Sequence, residues 1–301
     1  MNIKEDFKKK DEYSDGDVEN ELLSLFKSTD VENKILEILN NNPNWPTRYH
    51  LSPIRENLLN WYDFNPQASL LEIGAGCGAL TGLFCKKLKK VTAIELSERR
   101  ADIIRHRNKD KKNLTINVGN LNDMESEEKF DYITLIGVLE YAGRFTHTKN
   151  PFIDFLKNVR KSLKDDGTLI IAIENKFGLK YWAGVREDHT GKFFDSIENY
   201  NDQKEIQTFG NEELKTLLSN SGYGKIDFYY PMPDYKLPIE IFSDEYLPTE
   251  DHNIRLGMFP VQDFSNSREF LLNEKLVMDN IIKNKQFSFF ANSFLIFVRP
   301  L

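Results

Sequence analysis

The chain has 301 residues, 40% hydrophobic and 29% charged, with a net charge of −7. That length buries a full core, and the negative charge argues against general attraction to nucleic acid or to an anionic membrane. Its two cysteines, Cys77 and Cys85, have no His or Cys cluster beside them, which argues against a disulfide scaffold or a structural zinc site and leaves no metal expected.

Residues 1–20 are polar and lack the apolar core of a signal peptide. Lys8, Lys9 and Lys10 are flanked by acids and read as part of a solvated tail. No run approaches the ~18 apolar residues of a membrane span. A reducing, cytoplasmic setting is expected. From Asp17 to Asn40 the apolar residues recur at helical spacing, among them Leu22, Leu25, Phe26, Ile35 and Leu39. Asn40 to Asn44 breaks the pattern, and Trp45 to Pro53 reads as a loop. Ser52 as cap and Pro53 at the first position then open a helix running to Trp61.

The alternating core begins at Ser69. Strands are expected over 69–73, 91–95, 114–118, 131–136 and 168–174, with helices over 79–88, 98–108 and 152–164. This alternation predicts an α/β fold, a parallel sheet with helices on both faces. A helix over 211–220, a strand over 225–230 and a terminal strand over 293–298 complete it. Two segments exceed ordinary connections, 175–210 and 231–292, the second with a helical pattern from Ser267 to Lys283. Segments this long carry structure or function of their own.

The run from Leu70 to Thr81 is a buried strand, a glycine turn and a helix start, with Gly74, Gly76 and Gly78 alternating and Glu72 two residues before the first. Such a turn brings a ligand against bare main chain, and the helix start offers it unpaired N–H groups. Nineteen positions after Gly76, Glu95 ends the second strand, where a carboxylate grips ribose hydroxyls. The pattern points to an adenosine-type cofactor. Gly74, Gly76 and Ala79 also fit the looser dinucleotide pattern G-x-G-x-x-A. Glu72 repels a pyrophosphate, however, and suits the ammonium of a methionine moiety. Each residue has a plainer alternative. Glu95 reads also as a solvated helix-entry carboxylate, Glu72 as a buried paired one, and Asn120 as a turn residue.

With the later run FDYITLIGVLEY over 130–141, the chain resembles the class I S-adenosylmethionine-dependent methyltransferases. In them the E-x-G-x-G-x-G turn, the acidic second-strand tip and this fourth strand recur at these spacings. The resemblance covers about 68–230 and the last strand. It implies a Rossmann-like, seven-stranded, mostly parallel sheet whose last strand inserts antiparallel beside the fifth. It implies S-adenosylmethionine as cofactor, bound by Glu72, Gly74, Ala75, Gly76, Gly78, Glu95, Leu96, Asn120, Leu121 and Gly137, with Asn120 and Leu121 at the adenine. The expected organisation is an N-terminal helical extension or lid over 1–60, a cofactor-binding core over 61–230, an insertion shaping the acceptor site over 231–292, and the last core strand over 293–301.

Methyl transfer from a sulfonium needs alignment and exclusion of water, with a base when the acceptor is a hydroxyl. His189 is the candidate base, with Asp188 or Glu187 to orient its ring; its plainer alternative is a surface-loop histidine. Glu174, Glu140 and Tyr141 are the other catalytic candidates. The segment ENKFGLKYWAG…EDHTG…FFDSIENY resembles, more narrowly, methyltransferases encoded beside bacterial glycosyltransferase and surface-polysaccharide genes. That implies a small-molecule or glycan-precursor acceptor: a sugar, a sugar nucleotide or a glycan-linked group, methylated on oxygen or nitrogen. The alternatives are an NAD(P)-dependent oxidoreductase and a catalytically inactive cofactor-binding scaffold.

Overall fold

The computed structural model describes residues 16–41, 43–123, 127–202, 204–263 and 268–301. The lysines of the expected N-terminal tail lie outside the described residues, as does Ser267. One eight-stranded sheet organises the chain: β1 (Ser69–Ile73), β2 (Lys90–Glu95), β3 (Leu114–Val118), β4 (Phe130–Ile136), β5 (Leu163–Glu174), β6 (Tyr223–Met232), β7 (Glu240–Ser243) and β8 (Ser293–Pro300). The order is β3-β2-β1-β4-β5-β8-β6-β7. Strands β1 to β5 pair in parallel, and β8 inserts antiparallel between β5 and β6. The run Phe294 to Val298 is apolar without alternation because both faces of that strand are covered, and every one of its residues is buried.

The seven expected strands are joined by β7, a four-residue edge strand paired to β6. So short a strand leaves too few residues for a period-two signal. The other main differences lie in the helices. The segment read as a loop from Trp45 forms a helix, α3 (Trp45–Leu51), because Asn44 caps it by accepting the Thr47 N–H at 2.9 Å and Pro46 sits where no N–H is needed. The helix expected to reach Trp61 is instead a 3-10 turn, Pro53–Leu58, capped by Ser52. The pattern from Asp17 to Asn40 divides into α1 (Val18–Lys27) and α2 (Val31–Asn40). The helix expected from Ser267 begins at Glu274, where Asn273 accepts the Leu276 N–H. Among the described residues no helix is long and apolar enough to cross a membrane.

Strand order reverses between β1 and β4, so their carboxyl ends open a crevice. Helix α3 stands over that crevice, held from behind by α1. Leu22, Leu25 and Phe26 pack with Leu51, Cys77 and Ile103, the last from the helix Glu98–Arg107. Glu19 locks this contact, fully buried between the Nε atoms of Arg99 (2.6 Å) and Arg100 (2.7 Å). Removing one partner of a buried ion pair strands the others. Glu19→Ala is therefore expected to cost roughly 3 kcal/mol, the low end of that range because Arg99 is 28% exposed. Chemical denaturation checks this; an unchanged midpoint would refute it.

Candidate functional site

The glycine turn leaves β1 with positive φ at Gly74, Gly76 and Gly78. At Gly76 a Cβ would meet nothing within 4 Å, so this backbone faces open space. At the tip of β4, Gly137 combines φ +69° with a close approach: a Cβ there would lie 2.9 Å from the Tyr235 hydroxyl. Gly74, Gly76 and Gly137 line two adjoining cavities, with Arg100 and Tyr141 also shared between them.

The first cavity is largely apolar. Glu95 and Leu96 from the end of β2, Gly119, Asn120 and Leu121 after β3, and Val138 and Phe145 after β4 line it. Glu95 is 5% exposed and fixed in place. Its Oε2 accepts the Gly76 N–H at 2.7 Å and its Oε1 the Ser97 N–H at 3.0 Å. Burial raises its pKa, opposed by those N–H donors and Arg100. Asn120 closes a turn, its Oδ1 accepting the Asn122 N–H while its amide donates to the Phe145 carbonyl. So Asn120 is a turn residue and a wall of the cavity at once.

Three expected cofactor residues lie off this surface. Ala75 packs with Ala93 and Ile104. A Cβ at Gly78 would meet Ile104 at 3.2 Å, on the side of the following helix. Glu72, 5% exposed, accepts the Thr81 hydroxyl at 2.6 Å and lines neither cavity. Burial pushes its carboxyl from about 4.5 up to about 8, against the Thr81 hydroxyl and Arg55. Between those two values the native chain holds a proton that the unfolded chain has lost, so this group costs stability increasingly as pH rises through that window. Glu72→Gln mimics the protonated carboxyl. Its melting temperature relative to wild type is expected to climb with pH until about 8 and then level off. A difference independent of pH would count against a buried, protonated Glu72.

The second cavity is polar. Its walls come from α3 (Trp45, Tyr49, His50), from Glu140 after β4, from Glu174 ending β5, from the loop carrying Arg186, Asp188 and His189, and from Tyr235, Lys236 and Asp263. The His189 side chain is 6% exposed and is no surface-loop residue. Glu187 orients the ring, with Nδ1 2.9 Å from its Oε1. Glu187 is in turn fixed by the N–H groups of His189 and Thr190 and by the Tyr200 hydroxyl. Asp188 instead accepts from Lys180, Tyr181 and Lys236. Lys236 also lies 2.5 Å from Glu174 Oε1. Burial alone would lower the His189 pKa, but Glu140 and Glu187 outweigh it and hold the ring well above its usual range. That setting favours the charged form of the ring. Glu140 is raised by burial, against its contact with His189. Lys236 and His189 hold Glu174 below its ordinary value in spite of burial.

Of the residues lining this cavity, sequence reasoning named Glu140, Tyr141, Glu174 and His189 but not the α3 aromatics, Lys236 or Asp263. The Asn44 cap followed by Pro46 was a usable signal for α3. Lys236 and Asp263 had none, since a long connection carries no periodicity that says which side chain turns inward. The neighbouring polar residues of the β5 tip serve the scaffold. Asn175 donates to the carbonyls of Phe289 and Ala291, and Lys176 to Asn199 and Glu213.

Comparison with known proteins agrees with this arrangement. Residues 71–169 match the family model described as a methyltransferase domain. An uncharacterized methyltransferase of Staphylococcus carnosus is 33% identical over 164 residues, 54% of this chain and 70% of that protein. A malonyl-[acyl-carrier protein] O-methyltransferase of Priestia megaterium is 28% identical over 118 residues, 38% of this chain and 40% of that protein. Among solved structures, phosphoethanolamine N-methyltransferase 1 of Haemonchus contortus, in complex with phosphoethanolamine and S-adenosylhomocysteine, superposes with a TM-score of 0.50 at 13% identity. That match covers 93% of this chain but 49% of the other, and shows likeness of fold alone. The dinucleotide reading of the same glycines and the inactive-scaffold reading give way to these findings. With the glycine turn, the acidic β2 tip and the β5–β8 antiparallel pair all in place, the chain belongs to the class I S-adenosylmethionine-dependent methyltransferases.

Proposed function

We propose that the enzyme methylates an oxygen or nitrogen of a small polar acceptor bound in the polar cavity, and that the acceptor is a sugar, a sugar nucleotide or a glycan-linked group. The observation that carries this is the junction of the two cavities at Gly74, Gly76, Gly137 and Tyr141, an apolar chamber with one buried carboxylate opening onto a chamber lined by charged groups. The residues of the first chamber fit the cofactor. Glu95 supplies a fixed carboxylate for the ribose, Gly76 gives bare backbone, and Asn120 and Leu121 wall the adenine end. When bound, S-adenosylmethionine supplies a methyl group already activated on a sulfonium.

The protein's own work is then to hold the acceptor, shed water and place the acceptor's proton. Glu140 and Glu174 each keep one buried oxygen without a hydrogen-bond partner among the described residues. Those oxygens suit the hydroxyls of a polyol, and Glu140 is the candidate to take up a hydroxyl proton. His189 beside it positions that carboxylate. Tyr141 lies at the junction, its ring edge-on to His189 at 5.3 Å. The narrower resemblance around 174–200 supports a sugar-type acceptor, and the long connections that carry it supply this chamber's walls.

The test is to incubate the protein with S-adenosylmethionine and a panel of sugars, sugar nucleotides and amines, reading products by mass spectrometry. A gain of one methylene mass on a sugar hydroxyl is expected. Turnover only on amines lacking a sugar would overturn the acceptor assignment while leaving the methyltransferase class in place.

A further inference from the structure

We propose that Glu140, Glu174 and His189 form a binding site for a divalent transition-metal cation at the floor of the polar cavity. One oxygen of each carboxylate and one ring nitrogen lie within 4.8 Å of one another. The sequence gives no sign of this site, because its members come from the turn after β4, the tip of β5 and a loop, with none of the short spacings of a metal motif.

Three further observations point to a cation rather than to a simple acidic cluster. First, Glu140 and Glu174 are each 1% exposed, line the cavity, and keep an Oε2 without a hydrogen-bond partner among the described residues. A buried carboxylate oxygen with no donor is costly unless something from the cavity meets it. Second, the ring is arranged as ligating histidines are. Glu187 holds Nδ1 at 2.9 Å, which directs Nε2 toward Glu140. A metal-bound histidine usually gives its other nitrogen to a carboxylate in this way. The Nε2 to Glu140 Oε1 separation of 3.8 Å is too long for a hydrogen bond. It suits two ligands of one ion, since atoms each ~2.1 Å from a metal lie roughly 3–4.2 Å apart. Third, the charges fit. In the connected cluster the carboxylates of Glu140, Glu174, Glu187 and Asp188 face the ammonium groups of Lys180 and Lys236. Binding displaces the proton that this setting otherwise favours on the imidazole, and with the ring neutral a dication balances that set. Lys236 bonds Oε1 of Glu174 and so leaves the other oxygen to the ion.

Two carboxylates and one imidazole suit Mn²⁺ or a neighbouring first-row ion better than Mg²⁺, which prefers oxygen alone. Three protein ligands leave positions open toward the cavity. If the polar cavity holds the acceptor as proposed above, the ion reaches the acceptor's oxygen and lowers its hold on a proton.

The experiment uses Mn²⁺ as probe on the full chain after chelation, without acceptor. Calorimetry and electron paramagnetic resonance are expected to show one bound ion, with nitrogen coupling from a directly ligated imidazole. His189→Asn should abolish the nitrogen signal. Glu140→Gln and Glu174→Gln should each weaken binding by at least ~10-fold, and Glu187→Gln, behind the ring, by roughly 10–100-fold. S-adenosylhomocysteine affinity verifies that each variant is folded, and Glu140→Asp replaces any that is not. Absence of stoichiometric binding, binding without nitrogen coupling, or equal affinity in the variants would overturn the site and leave an ion-paired imidazolium in its place. Chelation supplies the separate arm: full methyl transfer by the metal-free enzyme would overturn the ion's role at the acceptor, whereas no transfer under any condition points to the acceptor assignment instead.

Discussion

Replacing Glu95 with alanine is expected to weaken S-adenosylmethionine binding by roughly 10²–10⁴-fold. Hydrogen bonds to a charged group contribute about 1.5–3 kcal/mol each, and a carboxylate gripping both ribose hydroxyls loses two of them. The pocket cannot heal around the deletion. Glu95 already fixes the turn by accepting the Gly76 and Ser97 N–H groups, so alanine also loosens the backbone against which the ligand lies. A second variant separates contact from scaffold. Gly76→Val leaves Glu95 in place but points a branched side chain into space where a Cβ meets nothing within 4 Å. It also imposes φ +56° on a β-branched residue. Both variants should lose calorimetric binding of S-adenosylmethionine and S-adenosylhomocysteine while keeping the far-ultraviolet spectrum of the sheet. Affinity near wild type in both would refute the placement of the cofactor along the glycine turn.

The second large effect is expected at Glu140, and it should fall on turnover rather than on the cofactor. Glu140→Gln keeps the shape of the side chain and removes the carboxylate that faces the polar cavity with a free oxygen. Loss of a group that handles the acceptor's proton lowers rates by roughly 10²–10⁴-fold. Glu140 lines the polar cavity and not the apolar one, so cofactor affinity should stay near the wild-type value. Single-turnover kinetics with saturating cofactor would read this directly. Lys236→Met is the companion. It leaves Glu174 and Asp188 without the ammonium that bridges them, at 2.5 and 2.7 Å. Stability should fall along with turnover there, because buried Glu174 loses its ammonium partner and Asp188 keeps only that of Lys180. A Glu140→Gln enzyme with full turnover would move the chemistry to another wall of the cavity.

The amino-acid sequence by itself determined the scaffold and the cofactor end of the site. Those parts are written locally. A strand, a glycine turn and a helix start occupy twelve consecutive residues, and the acidic β2 tip follows at a spacing fixed by one helix and one strand. Backbone φ at Gly76 and the Gly76–Glu95 hydrogen bond are consequences of that short stretch. Local pattern did not distinguish Gly76, which faces the cavity, from Gly78, which faces Ile104, since both alternate in the same turn. Nor did it show that Glu72 faces Thr81 rather than the cavity.

The acceptor end was decided by tertiary structure. Glu140, Glu174, His189 and Lys236 come from four separate segments and meet only because the strand order places the ends of β4 and β5 side by side and two long connections fold over them. His189 was legible as a titratable side chain. Its burial and the choice of Glu187 over Asp188 as its partner were not, because each depends on residues brought in from Tyr200, Lys180 and Glu140. Long connections lack the periodicity that reports which side is buried. Their side chains are assigned by the packing of elements far apart in the chain, and by the need of each buried carboxylate for a partner.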